Sequence, residues 1–230
     1  MQIKVVLVPM FGLPGSGKGS VMANLKKLAA SSAIFSIITV EMGAYFRKKA
    51  QIDGPIKDIM DSGGLISNSL VNDVFEELLN ASVAAPILAG DGLKEKAIVL
   101  LDGYPRTLPQ WEHFLEYRAE KNLSVAGIFV DLPEEIVMHR STIRRICPKC
   151  GGTFSTEEYH LCPHCGQSEG IRRADDLKME RRVRVFNEET APVIEEAKSI
   201  FEHQITVSGE DTKLASQQVW DFVVNELWML

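Results

Sequence analysis

Outside the stretch Cys147–Cys165 this sequence contains no cysteine, so a disulfide framework has nothing to build on beyond that segment. It also lacks a surplus of positive charge. Lys and Arg total 25 against 31 Asp and Glu, for a net charge of −6, which removes any global attraction to nucleic acid or to an anionic membrane. No apolar run approaches the length of a membrane span. There is no internal repeat, no low-complexity tract, and aromatic residues make up only 7% of the chain. The opening MQIKVVLVPMFG is apolar enough to resemble a short signal peptide, but it runs into glycines and a lysine rather than a cleavage site. It reads as a buried first strand, and the protein is expected to be cytoplasmic. At 230 residues the chain can build one substantial core with small insertions.

The four cysteines form two C-x-x-C pairs, CPKC and CPHC. That spacing points to a structural zinc held by Cys147, Cys150, Cys162 and Cys165. His160 and His164 read as surface residues, since four paired thiolates already complete a tetrahedron. Arginines crowd both flanks of the stretch, giving a local cationic field suited to a small, highly charged ligand.

Apolar runs alternate with helical patterns along the rest of the chain. Strands are expected at Ile3–Met10, Ser36–Val40, Ala97–Leu101, Val125–Val130 and Gln204–Val207. Helices are expected at Ser20–Ala30, at EMGAYFRKKA, from Pro55 to the glycines 63 and 64, and at Ser67–Leu79. Others are expected at Pro133–Arg145, over Asp176–Phe201 as one long helix, and from Thr212 to Trp220 or beyond. Residues 81–97 read as a helix end plus a loop. Nearly all-apolar strands alternating with helices imply an α/β fold, with a central parallel sheet covered on both faces.

Between the first strand and first helix lies GLPGSGKGS, in which Gly15, Ser16, Gly17, Lys18, Gly19 and Ser20 form a phosphate cradle. Converging backbone N–H groups and the helix N-terminus would hold an anion, and Lys18 would reach the β- and γ-phosphates of a nucleotide. At the end of a later strand stands LDGYPRT, where Asp102 suits the hydration shell of Mg²⁺, Gly103 permits close approach and Arg106 suits a phosphate.

With Gly19 between Lys18 and Ser20, GLPGSGKGS resembles the loop of the adenylate kinases and related nucleoside monophosphate kinases, and DGYPRT resembles their DGFPRT element. The resemblance spans nearly the whole chain. It implies a P-loop three-layer fold with core segments 1–40, 81–145 and 172–230, a monophosphate-binding insertion at 41–80, and a zinc-bearing lid at 146–171. It implies phosphoryl transfer from Mg-ATP to AMP giving two ADP, with ATP, AMP and ADP as partners, no nucleic acid, no membrane and a monomeric enzyme. Met42, Arg47, Gly64, Ile66 and Gly103 match the AMP side, with Gln110 reading the adenine. Arg140 matches the residue stacking on the ATP base, and Gly209 the glycine whose neighbouring backbone faces that base. Arg140 and Arg144, four apart, are expected on one helix face. Arg144, Arg173, Asp175 and Arg184 match groups that enter the closed site. Arg145, Arg172, Arg181 and Arg182 read as a solvated charge face.

Three departures stand out. Met42 replaces a threonine, Gly64 replaces a lysine, and the eleven residues between Cys150 and Cys162 make a shorter lid hairpin than is usual in the family. The first two keep UMP, CMP or dCMP open as acceptors. A zinc-ribbon nucleic-acid binder is the non-enzyme alternative. It is opposed by the acidic whole and by the lack of an aromatic-basic stacking surface near the cysteines.

Overall fold

In a computed structural model, the chain is described over residues 3–84, 94–172 and 174–230, without the side chains of residues 174 and 175. Most of the loop expected before the third strand, residues 85–93, lies outside the described residues.

The sheet is parallel. Strands β1 (Lys4–Phe11), β2 (Phe35–Glu41), β3 (Lys96–Asp102), β5 (Gly127–Asp131) and β8 (Gln204–Ser208) run in the order β2-β3-β1-β5-β8, and the two-residue β4 (Ser124–Val125) also pairs with β1. Val6, Leu7, Val8 and Ile98 through Leu101 are fully buried, because helices cover both faces. On one face α1 (Lys18–Ala30) and α9 (Thr212–Asn225) pack through Val21, Leu25, Val219 and Val223. On the other, α4 (Asn68–Leu79), α5 (Leu108–Glu120) and α8 (Ala191–Ile200) bury Phe75, Trp111, Phe114 and Val193. Strand order places β1 centrally, so the glycine loop after it emerges at the C-terminal edge of the sheet, where ligands of open parallel sheets bind.

A helical insertion joins β2 to β3. It begins with α2 (Met42–Lys49), followed by α3 (Gly54–Ser62) and α4. Asp53 starts α3 by accepting Ile56 N–H at 3.1 Å, Pro55 supplies a first-turn residue that needs no donor, and Gly63 ends it at φ 77°. The helix expected at Pro133–Arg145 is α6 (Glu134–Ile143), and it stops short of Arg144. Arg144 is extended (φ −67°, ψ 135°) and opens the strand β6 (Arg144–Ile146), antiparallel to β7 (Thr153–Ser155). The proposed helix face shared by Arg140 and Arg144 therefore does not exist.

The long helix expected over Asp176–Phe201 is broken. A 3₁₀ turn (Ala174–Lys178) leads into α7 (Met179–Val185), a π-turn (Phe186–Thr190) and then α8. Pro192 has no N–H to return to the carbonyl four residues back, so the wider turn before it absorbs the missing bond. Helix α5 was not anticipated at all. Thr107 caps it by accepting Gln110 N–H at 3.4 Å, and Trp111, Phe114 and Tyr117 form its buried stripe.

Candidate active site

The glycine loop is folded tightly on its surroundings. Gly15 and Gly17 have φ of 90° and 106°, and a Cβ on Gly12 (φ 144°) would lie 2.3 Å from the Val130 carbonyl oxygen. Lys18 opens α1 and turns back into the loop, its Nζ donating to the Gly12 oxygen at 2.7 Å and the Leu13 oxygen at 3.0 Å. Burial pulls the Lys18 pKa down to about 8; Asp102 opposes this, while Arg106 and Arg182 add to it. Lys18, Asp102, Arg106 and Arg182 thus form one charge cluster with three cations to one carboxylate, a field made for phosphate.

Ser16 Oγ supplies a separate indication. It is fully buried and has no hydrogen-bond partner among the described residues, an arrangement that a bound phosphate oxygen would satisfy. Gly19 and Ser20 are exposed on the first turn of α1. Arg106 lies against Gly103, where a Cβ would sit 2.8 Å from its Nη2, and Thr190 Oγ1 fixes the Arg106 carbonyl at 3.0 Å.

The turn after β8 closes the other wall. Gly209 N–H donates to the Asp131 carbonyl at 2.7 Å, and a Cβ on Gly209 would stand 2.1 Å from the Ser16 oxygen. Arg140 reaches this turn from α6, donating to the Gly209 oxygen at 2.8 Å and the Glu210 oxygen at 2.9 Å. Arg140 and Gly209, 69 positions apart, therefore meet as a pair beside the glycine loop.

Arg144 points elsewhere. Its Nε donates to Asp176 Oδ2 at 3.0 Å and its Nη2 to Oδ1, a bidentate pair with a carboxylate that is 1% exposed. Asp176 was not singled out from the sequence. Its neighbour Asp175 was, and that side chain lies outside the described residues, as does Arg173.

Arg184, which the resemblance matches, and Arg182 lie on different faces of one helix. Two residues apart on α7, they project about 200° apart. Arg182 is half-buried, close enough to Lys18 to lower its pKa, with its Cγ 3.6 Å from a Cβ built on Gly63. Arg184 is exposed and lines a shallow surface hollow with Glu134, Glu180 and Glu188. Arg182 thus sits at the junction of the glycine loop and the helical insertion.

On that insertion, Arg47 is exposed and lies beside Gly43, while Gly64 and Ile66 are half-buried in the turn between α3 and α4. Met42 is 2% exposed and belongs to the main apolar core together with Val40 and Phe46. It packs at the junction where β2 passes into the insertion. Gln110 is also 2% exposed; its Oε1 accepts Arg106 N–H and its Nε2 donates to Asn68 Oδ1, both at 2.9 Å. Beside it Tyr104, stacked on Phe75, shares a hydrogen bond of 2.8 Å with His113 Nδ1, whose Nε2 is 3.0 Å from Glu76.

The four cysteines converge. Their Sγ atoms all lie within 4.8 Å of one another, with Cys147–Cys165 at 3.5 Å and Cys150–Cys162 at 3.6 Å. A tetrahedral zinc with bonds of about 2.3 Å has S–S edges of roughly 3.8 Å, so the donor set fits such an ion. His160 and His164 are exposed and stand outside the cluster. Besides the cysteines, only Phe154 packs in this hairpin, which is too little apolar mass to fold it alone.

A parallel sheet, a glycine loop after its central strand and converging cations are the parts of a P-loop nucleotide-binding fold. Comparison with known proteins narrows this. A family model described as "Adenylate kinase" matches residues 10–201. The chain is 32% identical over 206 residues to the adenylate kinase of Pseudothermotoga lettingae, covering 84% of this chain and 85% of that protein. It is 32% identical over 197 residues to that of Thermotoga petrophila (80% and 81%), and 30% identical over 227 residues to that of Chlamydia trachomatis serovar D (95% and 88%). The chain belongs to the adenylate kinase family, and its activity is of that family's phosphotransferase type. Among the described residues, no helix is long and apolar enough to cross a membrane.

Proposed function

We propose that the protein is an adenylate kinase, transferring the terminal phosphate of Mg-ATP reversibly to AMP to give two ADP. The observation that carries this reading is the cluster of Lys18, Arg106 and Arg182 around the glycine loop, with the orphaned Ser16 hydroxyl inside it. Transfer of a phosphoryl group needs alignment, charge compensation and exclusion of water rather than a covalent partner. The loop N–H groups and Lys18 hold the donor phosphates. Arg47 and Arg106 hold the acceptor phosphate, and Arg182 stands between the two and takes the role expected of Arg184. A magnesium ion arriving with ATP would neutralise the β- and γ-oxygens, and Asp102 would hold its water shell.

In this reading the ATP base lies along the Gly209 turn under Arg140. The Arg140 hydrogen bonds to Gly209 and Glu210 keep that guanidinium parked until the nucleotide arrives. Residues 41–80 act as the acceptor-binding part and residues 146–171 as a lid. Its four thiolates hold one structural zinc, away from the chemistry. Arg144 and Asp176 brace the strand that leads into this lid. For Arg173 and Asp175 a role in the closed site rests on the family resemblance alone.

The family's kinases for other monophosphates are the competing reading. Met42, standing where the family carries threonine, is the feature that keeps them open, and Gln110 is the feature that supports AMP against them. The test is transfer from Mg-ATP to AMP, CMP, UMP and GMP, measured separately under identical conditions. AMP is expected to show the highest kcat/KM. An advantage of tenfold or more for UMP or CMP would replace the adenylate assignment.

A further inference from the structure

Asn68, the first residue of α4, touches none of the phosphate-binding groups described above except through a ring of hydrogen bonds. Its Oδ1 accepts from Gln110 Nε2 at 2.9 Å and from Thr107 Oγ1 at 2.9 Å. Gln110 Oε1 accepts from Arg106 N–H at 2.9 Å, and Thr107 Oγ1 accepts Gln110 N–H at 3.4 Å. The ring joins the helical insertion to the loop that carries Arg106. Gln110 and Thr107 are almost completely buried within it, at 2% and 5% exposed.

This ring fixes which way the Gln110 amide reads. Arg106 N–H is a backbone donor and cannot become an acceptor, so the end of the amide facing it has to be oxygen. Asn68 then anchors the nitrogen end and stops rotation of the side chain. A primary amide has two N–H bonds and two oxygen lone pairs. One of each is taken by the ring, which leaves one donor and one acceptor side by side in a known order.

We infer that Asn68 is a positioning residue for acceptor choice, holding Gln110 in the orientation that selects bases with an exocyclic amino group beside an unprotonated ring nitrogen. Adenine and cytosine present that pattern. Hypoxanthine, guanine and uracil present a carbonyl beside an N–H, which sets donor against donor and acceptor against acceptor. Turning the amide round to suit them would break the Arg106 and Asn68 bonds together and leave buried groups unpaired. Between adenine and cytosine the hydrogen-bond pattern does not choose, so that choice falls to the size of the site. The inference rests on the reading that Gln110 meets the acceptor base.

The test compares AMP with inosine monophosphate, which has the same purine shape and the opposite edge, in wild type, Asn68→Leu and Asn68→Asp. Mg-ATP is the donor throughout, and CMP and UMP serve as a second pair. Wild type should favour AMP over inosine monophosphate by on the order of 100-fold in kcat/KM, and CMP over UMP in the same direction. Asn68→Leu should cut the AMP advantage at least roughly tenfold, mainly by raising KM for AMP, with KM for ATP within about twofold. Asn68→Asp retains an acceptor oxygen and should keep the ratio within about threefold of wild type. A purely structural role would instead lower the melting temperature and disturb both substrates.

An unchanged ratio in folded Asn68→Leu would overturn the inference while leaving the kinase reading intact. If that variant does not fold, the wild-type panel decides: preference for the oxo bases overturns the inference, and preference for the amino bases with rescue by Asn68→Asp supports it. Absence of transfer to every monophosphate would overturn the functional reading, and this inference with it.

Discussion

Replacing Lys18 by methionine should remove the activity and change how stability depends on pH. In the folded chain, burial lowers the Lys18 pKa from 10.5 to about 8, so below pH 8 the enzyme carries a charge that the fold disfavours. That interval corresponds to about 3 kcal/mol at neutral pH. The ammonium also makes two hydrogen bonds, to the Gly12 and Leu13 carbonyls. Hydrogen bonds from a charged donor contribute about 1.5 kcal/mol or more each, so the two roughly offset that cost and Lys18→Met should lie within about 1 kcal/mol of wild type at pH 7. For a chain of this size that bound corresponds to a Tm within about 2–4 °C of wild type.

The pH dependence gives the sign independently. A lysine whose folded pKa is depressed destabilises the fold fully below about pH 8, and the penalty disappears as pH rises toward the unfolded value of 10.5. Wild type should therefore gain stability relative to Lys18→Met between about pH 8 and pH 10. Urea titrations of both proteins at pH 7, 8, 9 and 10 would measure this. A difference that stays constant across the range would refute the reasoning.

Arg182→Ala should lower phosphoryl transfer by about 100-fold or more, because its charge belongs to the cluster around Lys18, whereas Arg184→Ala should stay within about threefold. Steady-state kinetics on the two variants separates these outcomes directly. Protein purified without added metal should hold one zinc per chain by elemental analysis. Chelation should expose the amides of residues 146–171 to hydrogen exchange well before those of β1 and β3, since all four ligands lie in the hairpin. Gly209→Ala would press a Cβ to 2.1 Å from the Ser16 oxygen, and should weaken ATP binding at least tenfold by displacing the loop, as read by calorimetry.

The parts of the fold that could be read in advance are those written in contiguous residues. An apolar run, a glycine loop and a lysine identify β1, the loop and α1 without tertiary information, and two C-x-x-C pairs identify the four-cysteine cluster. Helix α5 was hidden because its opening, Leu108 and Pro109, reads as the tail of the DGYPRT turn, while the Thr107 cap belongs to both. The family resemblance matches Arg184, whereas the guanidinium that acts on Lys18 is that of Arg182, and two residues along a helix nearly reverse the face. Arg144 reads as helical by position and is extended, because β6 starts there and Asp176 draws it in. Met42 marked a departure from the family. Only packing reveals that it belongs to the core.

The central claim is that this site moves the terminal phosphate of ATP onto a nucleoside monophosphate. It is tested most directly by incubating the enzyme with AMP and Mg-ATP labelled in the γ-phosphate, then separating the nucleotides. The account predicts label in the β-position of ADP, formed at the rate at which AMP disappears, with the reverse reaction regenerating labelled ATP. Label released as free phosphate, or left on ATP while AMP persists, would contradict it.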